Sequence, residues 1–265
     1  MEICQSEKLL EFTTGEAECL RFIHKLMNDD EDLQHLIKFW TNELVLIMIR
    51  SFKLNPHKIF RVTKRLLHCC TKTFPDLFSL VDSTKLEPTL AKKMFQRVNM
   101  GECTQSPGII VFRFNRWNPD EVSVDEAIAA GILYIYEASK DAYVQRNGGM
   151  FVMDADGIEF SHVRRASFDV IKKLNCLLNA LPLKFVGCVV INCPPVVETL
   201  FNILKYALRA RNRKLIHVVH KNLTPLHDMV QDKELLPIYQ RALSLVVTNL
   251  SLNNPGTVCR SESKF

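Results

Sequence analysis

Ile109-Ile-Val-Phe-Arg-Phe-Asn115, Met150-Phe-Val-Met-Asp154, Phe185-Val-Gly-Cys-Val-Val-Ile191 and Leu215-Ile-His-Val-Val219 are four runs of strand length, each rich in β-branched or aromatic residues. Longer stretches with helical spacing lie between them. The first opens at the capping box Ser123-x-x-Glu126, and its Val124, Ile128, Gly131, Ile135, Ala138 and Ala142 fall on one face. Two more span about Phe168 to Ala180 and Val196 to Leu208. Strands alternating with helical crossovers predict an α/β fold with a mostly parallel sheet.

Upstream, the first hundred residues read as helical throughout. Their apolar positions recur at helical spacing, glycine is nearly absent, and Pro56 is placed to start a helix. From Asn55 to about Lys72, Ile59, Val62, Leu66 and Leu67 share one side and bases the other, for which a solvated basic face is the plainer reading. The expected organisation is a helical unit over 1–100, an α/β domain over 101–245 and a C-terminal tail over 246–265 that frays around Asn253-Asn-Pro-Gly-Thr257.

With 47% apolar and 24% charged residues among 265, the chain has enough apolar sequence for a sizeable core and is neither collagenous nor disordered. The longest apolar stretch, Ala127 to Tyr136, is fenced by Glu126 and Glu137 and is shorter than the ~20 residues a spanning helix needs. The start has neither a basic nor an apolar leader region, which predicts a cytoplasmic protein. Nine cysteines without a C-x-x-C pair, several inside apolar runs, are expected to be reduced and buried. The net charge of +5 is uneven: residues 1–49 hold ten acids against four bases. Two acid-free basic runs follow, Arg50, Lys53, Lys58, Arg61, Lys64, Arg65 and Lys72, then Lys205, Arg209, Arg211, Arg213, Lys214 and Lys221. Both suggest an anionic partner. The stacking aromatics that nucleic-acid grooves interleave with such bases are missing.

Catalytic signatures are absent: there is no G-x-S-x-G, H-E-x-x-H, P-loop or G-x-G-x-x-G. Asp154-Ala-Asp156-Gly157 superficially resembles a calcium loop, but its glycine comes too early, and a strand ending in a turn is the better reading. His217 and His220 would be metal ligands only if other donors converged on them. Cys193 sits after a strand, where α/β enzymes place reactive groups, yet Pro194 and Pro195 beside it supply no base. The stronger constellation is the helix beyond those prolines. Val197, Leu200, Phe201, Leu204 and Leu208 share one face, Glu198, Asn202, Lys205 and Arg209 the other. An apolar face running into a basic stretch suits either a surface helix packed on the core or an interface with anionic lipid.

The order of motifs carries a resemblance. Gln145-Arg-Asn-Gly148, then Met150 to Gly157, Phe160-Ser-His162, Lys172-Lys173, Pro182-Leu-Lys184, Val190-Ile-Asn-Cys-Pro194 and Ile216-His-Val218, with Trp117-Asn-Pro119 before them, resemble the CRAL-TRIO lipid-binding family. Ile49-Arg-Ser-Phe52 and Phe74-Pro-Asp-Leu-Phe78 are similar to its N-terminal helical extension. The resemblance implies a mixed sheet flooring an apolar pocket, helical walls, and a mobile lid helix holding Val196, Val197, Leu200, Phe201, Leu204 and Leu208. It implies pocket positions at Phe151, Met153, Leu174, Leu177, Leu183, Phe185 and Cys188. Where tocopherol-carrying members offer serines to the ligand, Gly131 and Ile135 stand here, which speaks against tocopherol itself and leaves Tyr134 and Tyr136 as polar handles or, for one of them, as core. Phosphoinositide-contacting bases carry over to Arg50, Lys184, Arg211 and Arg213, beside Lys205 and Arg209 at the lid, while Val186 and Leu215 replace two others. The family's closing L-P-x-E-Y-G-G is altered at Leu236-Pro-Ile-Tyr-Gln-Arg241.

The function this predicts is a monomeric, non-enzymatic carrier without a cofactor, holding one retinoid, tocopherol or phospholipid-like molecule and exchanging it at phosphoinositide membranes as a transient peripheral protein. A lipid-sensing or ligand-free interaction module on the same fold is the alternative.

Overall fold

The computed structural model describes residues 12–34, 41–98 and 106–218. His220, Lys221, residue 219 of the fourth predicted strand, the altered closing motif and the tail lie outside the described residues. Six helices come first: α1 (Thr14–Asn28), α2 (Glu31–Gln34), α3 (Asn42–Ser51), α4 (Pro56–His68), α5 (Pro75–Ser79) and α6 (Glu87–Ala91). They are followed by β1 (Phe95–Val98), β2 (Gly108–Arg113), α7 (Val124–Ser139), α8 (Ala142–Asn147), β3 (Gly149–Asp154), α9 (Phe160–Arg165), α10 (Phe168–Ala180), β4 (Phe185–Ile191), α11 (Pro195–Leu204), α12 (Ala210–Arg213) and β5 (Ile216–Val218).

The five strands stand in sequence order, β2 to β5 parallel and β1 antiparallel on the edge beside β2. The fold is the mixed, mostly parallel α/β sheet expected, but β1 corrects the reading of the first hundred residues as wholly helical. Its four residues, Phe-Gln-Arg-Val, are too few and too polar to show a strand period. They are held by pairing with β2 and by Arg113, which donates to Gln96 Oε1 at 2.7 Å.

Strand periodicity divides the sheet into two faces. Met150 and Val152 of β3 pack with Ile109, Val111, Val189 and Ile191 under Tyr143 and Val144 of α8. Their alternates, Phe151 and Met153, are left to the opposite face. The α8 corner is tightly made: Gly148 has φ +88°, and a Cβ there would overlap the Lys184 carbonyl. Ser123 and Glu126 form the predicted capping box of α7, each side chain taking the other's backbone N–H.

The helical unit has its own core, with Ile23, Met27, Val45, Met48, Ile49 and Ile59 buried between α1, α3 and α4. Here the acidic start of the chain meets the first basic run. Arg50 grips Glu16 through Nε at 2.7 Å, Lys64 reaches Asp30 at 2.5 Å and Lys72 reaches Asp32 at 3.5 Å. Part of that run is thus paired with the chain's own carboxylates while staying at the surface. Arg50, expected at a head group, is one of these: exposed by 40%, its guanidinium holds the buried Glu16, whose carboxyl is kept below the usual range chiefly by that hydrogen bond.

A second correction concerns the cysteines. Cys69, opening a π-helical turn after α4, is disulfide-bonded to Cys176 of α10, with Cα atoms 6.6 Å apart. The two lie 107 residues apart, and only the packing of α10 on α4 brings them within bridging distance. Among the described residues Cys19, Cys70, Cys188 and Cys193 are outside any disulfide.

Candidate functional site

On the sheet face away from α8 lies a cavity of about 330 Å³, within the range of small-molecule sites. Its floor is Phe151 and Met153 of β3, with Phe185, Cys188 and Val190 of β4. One wall is α7, through Val124, Ile128, Gly131, Ile132 and Ile135; another is α10, through Ile171, Leu174, Leu177 and Leu178. Phe95, Phe112, Phe114 and Trp117 close one end as an edge-to-face and tilted cluster, and α11 covers the top with Val197, Leu200 and Phe201.

The ring nitrogens in these walls are already engaged. His162 lies buried, its Nδ1 accepting from the Glu159 N–H at 2.9 Å and its Nε2 lying 2.7 Å from the Trp117 carbonyl. That pairing assigns the donor role to Nε2. Trp117 donates its indole N–H to the Val122 carbonyl at 2.9 Å. The Cys188 thiol is pushed up to about 12 by burial, so it stays protonated.

Of the predicted pocket residues, Phe151, Met153, Leu174, Leu177, Phe185 and Cys188 line the cavity, and three do not. Leu183 packs in the cluster under α8, against Gly149, because the turn before β4 carries it to the other face. Tyr136 donates to Glu43 Oε2 at 2.5 Å and thereby ties α7 to α3, away from the cavity. Tyr134 stacks behind Phe95, with ring centroids 5.4 Å apart. Neither tyrosine is a handle inside. The aromatic end wall is what sequence reading missed; the Trp117-Asn-Pro119 match and the alternating Phe112 and Phe114 were its signal.

The covering helix begins at the proline pair and extends as a 3-10 turn over Lys205–Ala207. Val197, Leu200, Phe201 and Leu208 line the cavity, whereas Val196, 82% exposed, points away, being one residue and so ~100° out of phase with Val197. The Leu204 side chain lies outside the described residues. Lys205, expected on the polar face, instead lines the cavity. It stands four residues after Phe201, ~40° away on the helical wheel, and so borders the apolar face. Asn175 of α10 pins the far end: it donates to the Ala207 carbonyl at 3.3 Å and accepts from the Arg209 N–H at 3.1 Å and the Asn212 amide at 3.4 Å.

The CRAL/TRIO domain family matches residues 104–239, a stretch that includes β2 to β5 and the covering helix. The chain belongs to that family. Among its relatives, "Alpha-tocopherol transfer protein-like" of Homo sapiens is 24% identical over 163 residues, 60% of this chain and 47% of the relative. "Clavesin-1" of Rattus norvegicus is 25% identical over 130 residues, 49% of this chain and 36% of the relative. The chain thus spans less than half the length of the curated relatives it matches. A solved structure titled "Crystal structure of Sfh5" superposes with a TM-score of 0.46 at 12% identity, covering 84% of this chain and 86% of that one.

On this CRAL/TRIO domain the remaining basic residues gather at the surface. Lys184, Arg209 and Arg211 are exposed, and Arg213 lies over the Tyr206 ring at 4.9 Å. Lys58 of α4 feels them: burial first, then the charges of Arg211, Lys184 and Arg61, lower its pKa. The helical unit and the lid end therefore share one positive field.

The end of β3 carries a buried acid. Asp154 is 1% exposed; its Oδ1 accepts from Asn192 at 2.8 Å and from the Asp156 N–H at 3.2 Å, while Oδ2 has no hydrogen-bond partner. Burial raises its pKa above the usual carboxylate value. The folded state therefore keeps a proton that the unfolded chain gives up as pH rises from the ordinary value to the raised one, and stability falls across that window. Asp154→Asn keeps the acceptor and removes the titration. Thermal unfolding from pH 3 to 8 is expected to show the variant without that decline and more stable than the parent at neutral pH.

Proposed function

We propose that this CRAL/TRIO chain is a carrier that encloses one hydrophobic molecule under α11 and exchanges it at a phosphoinositide-containing membrane. The observation that carries the reading is the apolar cavity, built from both sheet and helices and roofed by a single helix. Burying a ligand's hydrocarbon there favours binding by roughly 25 cal/mol per Å² removed from water, less the loss of ligand freedom. A retinoid-like or other largely hydrocarbon molecule is the ligand class such an apolar cavity would take.

Release requires α11 to move, and an interface favours movement only if it binds the open form better than the closed one. Three features support that reading. Val196, Ile203 and Tyr206 expose the back of the cover, at 82%, 62% and 68%. Phe160 and Phe168, on the elements flanking the cavity rim, are exposed by 75% and 76%. The basic group of Lys184, Arg209, Arg211 and Arg213 adjoins them at the lid end. Among the described residues no helix is long and apolar enough to cross a membrane, so contact of this kind is peripheral. Cys193 does not support an enzyme: it is buried, and burial followed by the Glu198 charge pushes its thiol up to about 11.

Arg211→Glu with Arg213→Glu is expected to slow transfer of a fluorescent retinoid between phosphoinositide-containing vesicles at least fivefold, on the order of 1 kcal/mol per basic residue at such a surface. Transfer to neutral phosphatidylcholine vesicles should change little. An unchanged rate on the phosphoinositide vesicles would contradict the exchange step.

A further inference from the structure

The cavity interior offers a ligand no hydrogen-bond partner. His162 and Trp117 spend their ring N–H groups on backbone carbonyls, and the Cys188 thiol is a weak donor. A hydroxyl, amide or carboxylate carried into that interior would lose its water without compensation. Any polar group on the ligand must therefore lie at the rim. The rim's ionic groups come from the elements around it, and most are already neutralised. Arg165 holds Asp120 at 3.1 Å, and Lys173 holds Asp125 and Asp169, each at 2.7 Å. Lys205 differs. It lines the cavity from the end of the cover, it is half-buried, and among the described residues no carboxylate pairs with it.

From this we infer that the ligand is a single-chain amphiphile whose tail fills the cavity and whose anionic head, a carboxylate or a phosphate monoester, rests at the rim on Lys205. The inference rests on the carrier reading and narrows it: neutral retinoids and sterol-like alcohols become weaker ligands than acids of the same length. A lysine whose methylenes follow apolar wall while its ammonium stays at the water edge suits such a head. A charge-assisted hydrogen bond fixes that head and leaves the tail free to find its packing.

The test compares oleate, oleyl alcohol and 1-oleoyl-lysophosphatidate by displacement of a fluorescent fatty-acyl probe from the delipidated full chain, in the parent, Lys205→Met and Lys205→Arg. Expected is tighter binding of an anion than of the alcohol by about tenfold or more, lost in Lys205→Met, retained in Lys205→Arg, and weakened by salt. Whether oleate or lysophosphatidate is preferred assigns the head as carboxylate or phosphate. Equal binding of alcohol and acids, or a preference that survives Lys205→Met, overturns the inference while leaving the carrier standing. Binding of none of the three, with retinol bound, does the same. If neither they nor retinol bind, the carrier reading falls with it.

Discussion

Replacing Cys176 with serine is expected to destabilise the oxidised protein by about 4 kcal/mol, because the bond to Cys69 closes a loop of 107 residues and so restricts the unfolded chain strongly. The bond also has a position of consequence. It fastens α10 to the end of α4, next to Asn175, whose hydrogen bonds hold the lid end. Urea unfolding under non-reducing conditions checks the figure. The parent should fall toward the variant's midpoint on adding a thiol reductant, and the variant should ignore the reductant. A parent insensitive to reduction would show that the bond contributes nothing to the folded state.

The second large effect is on the cavity. Met153→Trp places a large ring on the floor, where the strand's alternation points the side chain away from the α8 cluster. Displacing about 100 Å² of ligand surface forfeits ~2.5 kcal/mol, close to two orders of magnitude in affinity. Folding should survive, since the added volume enters space rather than packed core; overpacking costs about 1–3 kcal/mol at worst. Titration of the delipidated variant with the same fluorescent fatty-acyl probe measures the loss. Unaltered affinity would mean that the ligand sits elsewhere.

Much of this architecture was readable wherever a local rule governs. Ser123 and Glu126 announce α7, and the two-faced stretch after Pro195 announces an amphipathic helix, whereas the pocket positions in Met150 to Asp154 and the role of that helix as a cover came with the family resemblance. What escaped reading depends on residues far apart in the chain. Tyr136 is taken from the cavity by Glu43, 93 residues earlier, and Arg50 is paired at the surface with Glu16. Cys69 meets Cys176 only once α10 lies on α4. β1 is too short for its period to register and exists because β2 offers an edge. Lys205 was misplaced for a different reason: it borders the apolar face, four residues after Phe201, and was grouped with the polar residues beside it. Pocket residues from strands and helix centres were therefore legible, whereas charged and aromatic residues whose roles depend on a distant partner were not.

The central claim is that the cavity encloses one lipid. Native mass spectrometry of the purified chain, followed by solvent extraction and lipid analysis, tests it most directly. The account predicts one hydrophobic molecule per chain, retained under gentle ionisation, released by extraction, and absent from Met153→Trp prepared in parallel. A chain that carries no lipid, and binds none when retinoids, tocopherols, fatty acids and phospholipids are offered, would contradict it.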